Sequence, residues 1–284
     1  MPAGRRRLDA ELVRRGLVDS IEDARAAIAA DEVTVGGAPA ANPARMVASH
    51  EPVQHLGPPP RFVSRAGDKL DAALDRFGLD VTDRRAIDVG ASTGGFTDCL
   101  LQRGTRQVVA LDVGHGQLDQ RLRLDPRVVV VERCNVRSLA GPGGAERRAA
   151  VVGEPAAVVV ADLSFISLTA VVDALVGLVA TDGHLVVLVK PQFEATRAEV
   201  SPGRGVVRDP AVWRRVLTEV IAAFDRGGAC IMGAMASPTR GTEGNVEFLV
   251  HLVPGAAGTE GAVDIDRVVA EATGEPATGT GPTR

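Results

Sequence analysis

Five short apolar runs, rich in valine, recur along the chain at residues 86–89, 107–111, 128–132, 157–161 and 184–189. Each is apolar on both faces, and the stretches between them are long enough to hold crossover helices. They predict a mainly parallel sheet with helices on either side. Two more runs, 230–236 and 247–252, follow a helix candidate at 211–224. Residues 237–246 are too few for a crossover helix, so these last two strands are expected to pair antiparallel. The expected fold class is α/β, a sheet of seven strands ending in an antiparallel pair.

In such a sheet ligands bind beyond the carboxyl ends of the strands. The first run leads into Asp88-Val89-Gly90-Ala91-Ser92-Thr93-Gly94-Gly95-Phe96-Thr97-Asp98, a strand turning through small residues into a helix candidate at 96–102. A helix N-terminus presents unpaired backbone N–H groups, and glycine lets a ligand come close because no Cβ intervenes. Asp112 ends the second run roughly 20 residues later, where a carboxylate suits ribose hydroxyls. The spacing Gly-x-x-x-Gly-Gly is not the Gly-x-Gly-x-x-Gly of pyrophosphate sites. A looser turn suits a smaller ligand carrying a carboxylate and a ribose, which S-adenosylmethionine does; an ordinary βα turn has the same spacing. The third run leads to Asn135, the fourth ends in Asp162 and the fifth in Lys190. Charges that cap adjacent buried strands are costly unless they pair or take part in chemistry. Asp162 and Lys190 are therefore either a structural ion pair or part of a site.

Of the 32 basic residues only Lys69 and Lys190 are lysines. Guanidinium stays charged in proteins, whereas an amine has a movable pKa. The two lysines are thus candidates for chemistry, with chance retention the plain alternative. Lys69 lies at the start of a helix candidate whose apolar face, Leu70, Ala73, Leu74 and Phe77, runs to a stop at Gly78; a snorkelling surface lysine fits there too. Glu247 opens the last run, at the edge of the sheet where the fourth and fifth runs finish. Lys69, Asp162, Lys190 and Glu247 are expected to converge beside the cofactor. Such a set suits methyl transfer to a sugar hydroxyl, a poor nucleophile until its proton leaves or its oxyanion is stabilised.

Residues 1–58 read as a separate α+β module. Leu8, Leu12 and Leu17 share one side of a helix broken near Gly16. Ser20 opens a second helix in a capping pattern with Asp23, carrying Ala24, Ala27 and Ile28 inward, and Val33-Thr34-Val35-Gly36-Gly37 is a strand and a tight turn. Its arginines are grouped as Arg5-Arg6-Arg7, Arg14-Arg15 and Arg25, the footprint of RNA binding or a solvated face. Gly57-Pro58-Pro59-Pro60 begins a stiff linker over 59–66. Residues 67–253 form the large domain. The remainder, 254–284, is expected to be flexible apart from a helix candidate at 264–272.

A net charge of −4 excludes a general polycation, and no run approaches the ~20 apolar residues of a membrane span. Met1 to Arg7 leads into Leu8-Asp9 without an apolar signal core. Cys99, Cys134 and Cys230 form no CxxC and no His/Cys cluster, so buried reduced thiols are expected, with no disulfide framework and no metal. A cytoplasmic monomer is the expectation.

Leu8-Asp9 through Ser20, the following helix and the Val33–Gly37 turn resemble the RNA-binding domain first known from ribosomal protein S-four. Ser64-Arg65-Ala66-Gly67-Asp68-Lys69-Leu70, the 88–98 turn, Ala161-Asp162-Leu163-Ser164-Phe165-Ile166-Ser167, Val189-Lys190-Pro191-Gln192-Phe193-Glu194 and Gly244-Asn245-Val246-Glu247 resemble the TlyA family. That family joins such a module to an FtsJ-like ribosomal RNA 2′-O-methyltransferase domain, a Rossmann-like fold dependent on S-adenosylmethionine. The resemblance implies a catalytic tetrad of Lys69, Asp162, Lys190 and Glu247. It implies cofactor contacts at Gly90, Ala91, Ser92, Thr93, Gly94, Gly95, Phe96, Asp112, Asn135 and Asp162. It also implies methyl transfer to a cytidine 2′-hydroxyl of ribosomal RNA within ribosomal subunits, with Lys190 as proton acceptor or oxyanion stabiliser. Arg61, Arg65, Arg204, Arg208 and Arg240 join the N-terminal arginines as candidates for phosphate contacts, whereas Glu243 brings a negative charge into a loop commonly basic in the family. Two other functions remain in view: a haemolysin-like membrane-active protein, a label the family carries, and a non-catalytic RNA-binding assembly factor.

Overall fold

The computed structural model describes residues 5–18, 20–57, 60–241, 243–255 and 263–274. It divides into two compact units, Met1–Arg61 and Phe62–Arg284. That division falls inside the stretch read as linker, whose Pro59 lies outside the described residues, as does Pro58. Phe62 is buried, and a Cβ on Gly67 would lie 2.3 Å from its ring, so these residues already pack together within the larger unit.

In the small unit, helices Leu8–Arg14 and Ile21–Ala29 pack on short antiparallel strands. The first helix stops before Gly16, whose φ of 67° favours glycine. The second is capped by Ser20, whose Oγ accepts from the Asp23 N–H at 3.1 Å. Gly36 and Gly37, both at positive φ, turn Val33–Val35 back onto Ala38–Pro39. Leu8, Leu12, Ala24, Ile28, Val33 and Val35 fill a small core.

The larger unit is built on a seven-stranded sheet. Its strands are β1 (Arg85–Val89), β2 (Gln107–Leu111), β3 (Val128–Val131), β4 (Ala156–Ala161), β5 (Val179–Val189), β6 (Ala229–Ala236) and β7 (Phe248–Pro254). Their spatial order is β6-β7-β5-β4-β1-β2-β3, with β7 antiparallel to both neighbours and the remaining pairs parallel. Alternation of side chains makes two cores from one sheet. Ile87, Val89, Val109, Val159 and Val187 face the helix Pro210–Arg226 with its Trp213, Leu217 and Phe224. Ala86, Val108, Val158, Val186 and Leu188 face the helices Ala66–Phe77 and Gly95–Gln102.

Most element ends shift by a residue or two from the sequence reading, and two of the differences bear on the sheet and the site. β5 begins at Val179 rather than His184, its register against β4 shifting between the two. Glu247 stands just before β7 instead of within it, its carbonyl accepting the Ser237 N–H at 2.8 Å. The late helix is present as Ile265–Thr273 and is docked, with Val268 and Val269 in the first core. The flexibility expected around it concerns residues 256–262 and 275–284, which lie outside the described residues. None of the three cysteines is in a disulfide, and only Cys99 is fully buried.

His251 on β7 is buried, its Nε2 3.0 Å from His184 Nδ1 on β5. Burial, then the His184 charge, lowers its pKa from 6.5 to about 4. The unfolded chain therefore takes up this proton before the folded one does, and stability falls as pH drops from 6.5 towards 4. The loss is on the order of 2 kcal/mol once partial solvent access is allowed for. Urea titrations at pH 7 and pH 4.5 should show this slope, and His251→Gln should flatten it; an unchanged slope would remove His251 as its source.

Candidate active site

β1 stops at Gly90, whose φ is 87°. A Cβ there would lie 2.4 Å from the backbone oxygen of Asp162, so only glycine lets the exits of β1 and β4 touch. The turn then spends much of its own hydrogen-bonding capacity. Gly90 and Ala91 donate to Leu111 O at 2.8 and 3.1 Å, Gly94 donates to Ala91 O at 2.7 Å, and Ser92 donates to Asp112 Oδ2 at 2.8 Å. The expectation that the turn's N–H groups face a ligand is corrected for these four: the end of β2 takes those of Gly90, Ala91 and Ser92, and Ala91 O takes that of Gly94. Thr97 Oγ1 donates to Asp88 Oδ2 at 2.7 Å and ties the helix to β1. Burial pushes the Asp88 carboxyl up to about 7, against the pull of that hydrogen bond.

Beyond the carboxyl ends of β1, β2 and β4 lies a cavity of about 640 Å³ lined by Gly90, Ser92, Asp112, Asn135 and Asp162, with Leu111, Cys134 and Leu163 as apolar wall. Thr93, Gly94 and Gly95 shape the turn behind it, and Ala91 and Phe96 are buried in the helix–sheet core. The donor set fits a nucleoside ligand. Asp112 uses its oxygens on the N–H groups of Ser92 and Gly114 yet retains lone pairs for hydroxyls. Asn135 uses its oxygen on the Arg137 N–H and keeps its amide donors. Asp162 Oδ1 is buried, its charge met by the Lys190 ammonium 2.6 Å away.

A second cavity, about 290 Å³, adjoins the first and is lined by Lys190, Gln192, Phe193, Gly205, Glu243 and Glu247. Ser164 and Phe165 line both. Lys190 Nζ stands 2.6 Å from Asp162 Oδ1 as a charge contact and donates its hydrogen bond to Ser164 Oγ at 3.1 Å. This ion pair therefore reaches from one cavity to the other. Lys69, a buried residue of the Ala66–Phe77 helix, donates to Glu247 Oε2 at 2.5 Å. A surface lysine is excluded at that position. The four residues form two ion pairs, with Lys190 and Glu247 on the wall of one cavity and Lys69 behind Glu247.

Among the site residues that carried no role in the sequence reading, one stands out. Phe165 is 91% exposed, stands at a φ of 62° and lies 5.2 Å from the Phe193 ring, centroid to centroid. An aromatic set among Ser164, Ile166 and Ser167 at a strand end, in a chain with so few aromatics, was the available signal.

The candidate phosphate-binding arginines separate between the units. In the small one, Asp9 and Glu11 are buried beneath guanidinium groups: Arg7 and Arg25 meet Asp9 at 2.7 and 3.4 Å, and Arg14 and Arg15 meet Glu11 at 2.5 and 2.8 Å. Arg14 and Arg15 hold the Glu11 carboxyl down to about 2. Arg6 stands 3.7 Å from Glu11, and Arg5 is exposed. In the larger unit Arg204 adjoins Gly205 of the second cavity, with Arg208 beside the same loop, and Arg240 donates to Gly244 O at 3.4 Å. Arg61 ends the small unit, and Arg65 precedes the Lys69 helix. Among the described residues no helix is long and apolar enough to cross a membrane.

Residues 62–253 match the FtsJ-like methyltransferase model and residues 6–53 the S4 domain model. The 16S/23S rRNA (cytidine-2′-O)-methyltransferase TlyA of Mycobacterium tuberculosis is 46% identical over 88% of this chain and 90% of its own. Hemolysin A of Brachyspira hyodysenteriae is 37% identical over 87% of this chain and 99% of its own. A solved structure from Streptococcus thermophilus that carries a hemolysin label is 36% identical, with a TM-score of 0.75 over 96% of this chain and 97% of that one. With a sheet of this order, and matches that span both units, the chain belongs to the FtsJ-like methyltransferase family, in its TlyA branch with an S4 domain ahead of the methyltransferase fold.

Proposed function

We propose that this chain transfers a methyl group from S-adenosylmethionine to the 2′-hydroxyl of a cytidine in ribosomal RNA. The observation that carries this reading is the Asp162–Lys190 pair, which links a cavity fit for a nucleoside cofactor to a second one fit for a ribose. The name of the Mycobacterium tuberculosis relative supports the choice of substrate. Gly90, Ser92, Asp112, Asn135 and Asp162 would hold the cofactor, with Asp112 on the ribose hydroxyls. When bound, the cofactor supplies an electrophilic methyl group on a sulfonium.

The chain's own residues prepare the hydroxyl. The Lys190 ammonium, held by Asp162 and Ser164, stabilises the charge that builds on the 2′-oxygen as its proton passes to solvent water. Lys69 neutralises Glu247 from behind, so that this carboxylate does not raise the hydroxyl pKa as an unpaired negative charge would. Phe165, exposed between the cavities, offers a face on which the target base stacks. Tritiated cofactor and isolated ribosomal subunits test the proposal, with the modified position mapped afterwards. Label on a cytidine 2′-oxygen is the expected result, and label on a base, or none, overturns it.

The arginine face of the small unit serves RNA phosphates in this reading. Arg6 and Arg25 are its most exposed ion-paired members, at 62 and 58%. The double variant Arg6→Ala/Arg25→Ala should weaken RNA binding at every sequence and lower the slope of log K against log salt by roughly 1.5–2. An unchanged slope in a filter-binding titration would place those phosphate contacts elsewhere.

A further inference from the structure

The loop that leaves β4, from Asp162 to Leu168, is the partition between the two cavities. Phe165 holds a left-handed backbone there, a conformation that strains a bulky residue and persists only when its surroundings fix it. The fixing elements follow β5. Lys190 donates to Ser164 Oγ at 3.1 Å, the Phe193 ring lies 5.2 Å from that of Phe165, and Glu194 grips the far end of the loop. Both Glu194 oxygens are engaged: Oε2 accepts from Ser167 Oγ at 2.6 Å and Oε1 from the Leu168 N–H at 2.7 Å. Lys190, Phe193 and Glu194 thus meet Ser164, Phe165 and Ser167–Leu168 in matching order.

Glu194 lines neither cavity. Burial raises its carboxyl pKa while its two hydrogen bonds oppose that shift. Desolvating a carboxylate is unfavourable, and here both of its oxygens are directed at the loop. We infer that Glu194 is a positioning residue for methyl transfer, clasping the β4-exit loop so that Asp162, Ser164 and Phe165 keep their places between cofactor and acceptor. The inference rests on the function proposed above. A shift of about 1 Å in such groups is enough to cost on the order of 100-fold in rate.

The test compares full-length Glu194→Ala and Glu194→Gln with the parent chain in tritiated methyl transfer to ribosomal subunits, alongside melting curves and cofactor affinity. Glutamine can still accept from Leu168 and can donate to Ser167 Oγ, which then donates to Thr169 Oγ1, 2.7 Å away. Glu194→Ala, assayed well below its melting midpoint, should lose about 10- to 100-fold in kcat with the KM for subunits within about threefold. Glu194→Gln should recover to within about threefold of the parent. A purely structural role would lower the melting midpoint and leave kcat of the folded alanine variant unchanged, overturning the inference; so would a glutamine variant as slow as alanine. If the alanine variant does not fold, Ser167→Ala removes one arm of the clasp, and an unchanged kcat there is equally fatal. A parent chain that transfers no methyl group would sink the proposed function, whereas an active parent with a fully active Glu194→Ala sinks the clasp alone.

Discussion

Replacing Lys190 with alanine is expected to lower methyl transfer about 10²- to 10⁴-fold, the range for losing a group that stabilises charge or handles a proton in the transition state. That corresponds to roughly 3–5 kcal/mol of barrier. Cofactor affinity should stay within about twofold, because Lys190 lines the second cavity and not the first. Lys190→Arg should not rescue the rate. Its fork is broader than an ammonium and would have to fit the same space beside Asp162 and Ser164. Single-turnover transfer rates, with cofactor binding measured by calorimetry, separate the two quantities. Retention of more than about a tenth of the rate would take Lys190 out of the chemistry.

Gly90→Ala should be the most damaging single methyl group in the larger unit. Its φ of 87° already disfavours a side chain, and the added Cβ would sit 2.4 Å from the Asp162 carbonyl oxygen. The dihedral alone costs about 1–2 kcal/mol. The clash is with backbone, so relief has to come from parting β1 and β4 at the point where Asp162 faces the cofactor cavity. A total above ~3 kcal/mol lowers the melting midpoint by roughly 6–12 °C. Gly78→Ala is the control, since its φ is 64° but nothing lies within 4 Å of the new methyl group. It should cost only about 1 kcal/mol. Equal melting shifts for the two variants would show that the Asp162 contact contributes nothing.

Much of the larger unit was legible because its strands are buried on both faces. Uninterrupted valine runs, and the shortness of residues 237–246, leave little choice of sheet. Strand ends then pointed to Asp112, Asp162 and Lys190, because a charge beside an apolar run announces itself without coordinates. What stayed hidden depends on distance across the sheet. Nothing in the spacing says that Lys69 meets Glu247 while Lys190 meets Asp162. Nor does it say that the 88–98 turn would bond to Leu111 and Asp112 before any ligand. In the small unit the grouping of the arginines left RNA footprint and solvated face both open, and it did not show that Asp9 and Glu11 are buried beneath them. Phe165 was signalled only by being an aromatic at a strand end, and its exposure, which separates it from a core aromatic, needs the structure.

Ser164 and Phe165 border both hollows, so the barrier between them is only one loop thick. A single compound could span that barrier, one arm shaped like a nucleoside and the other like a ribose, joined by a tether short enough to pass Lys190. Once the first arm is seated, the second faces an effective concentration set by the tether, and the combined grip exceeds either alone without a new contact. The same architecture that brings donor and acceptor together thus offers inhibitor chemistry two footholds within one reach.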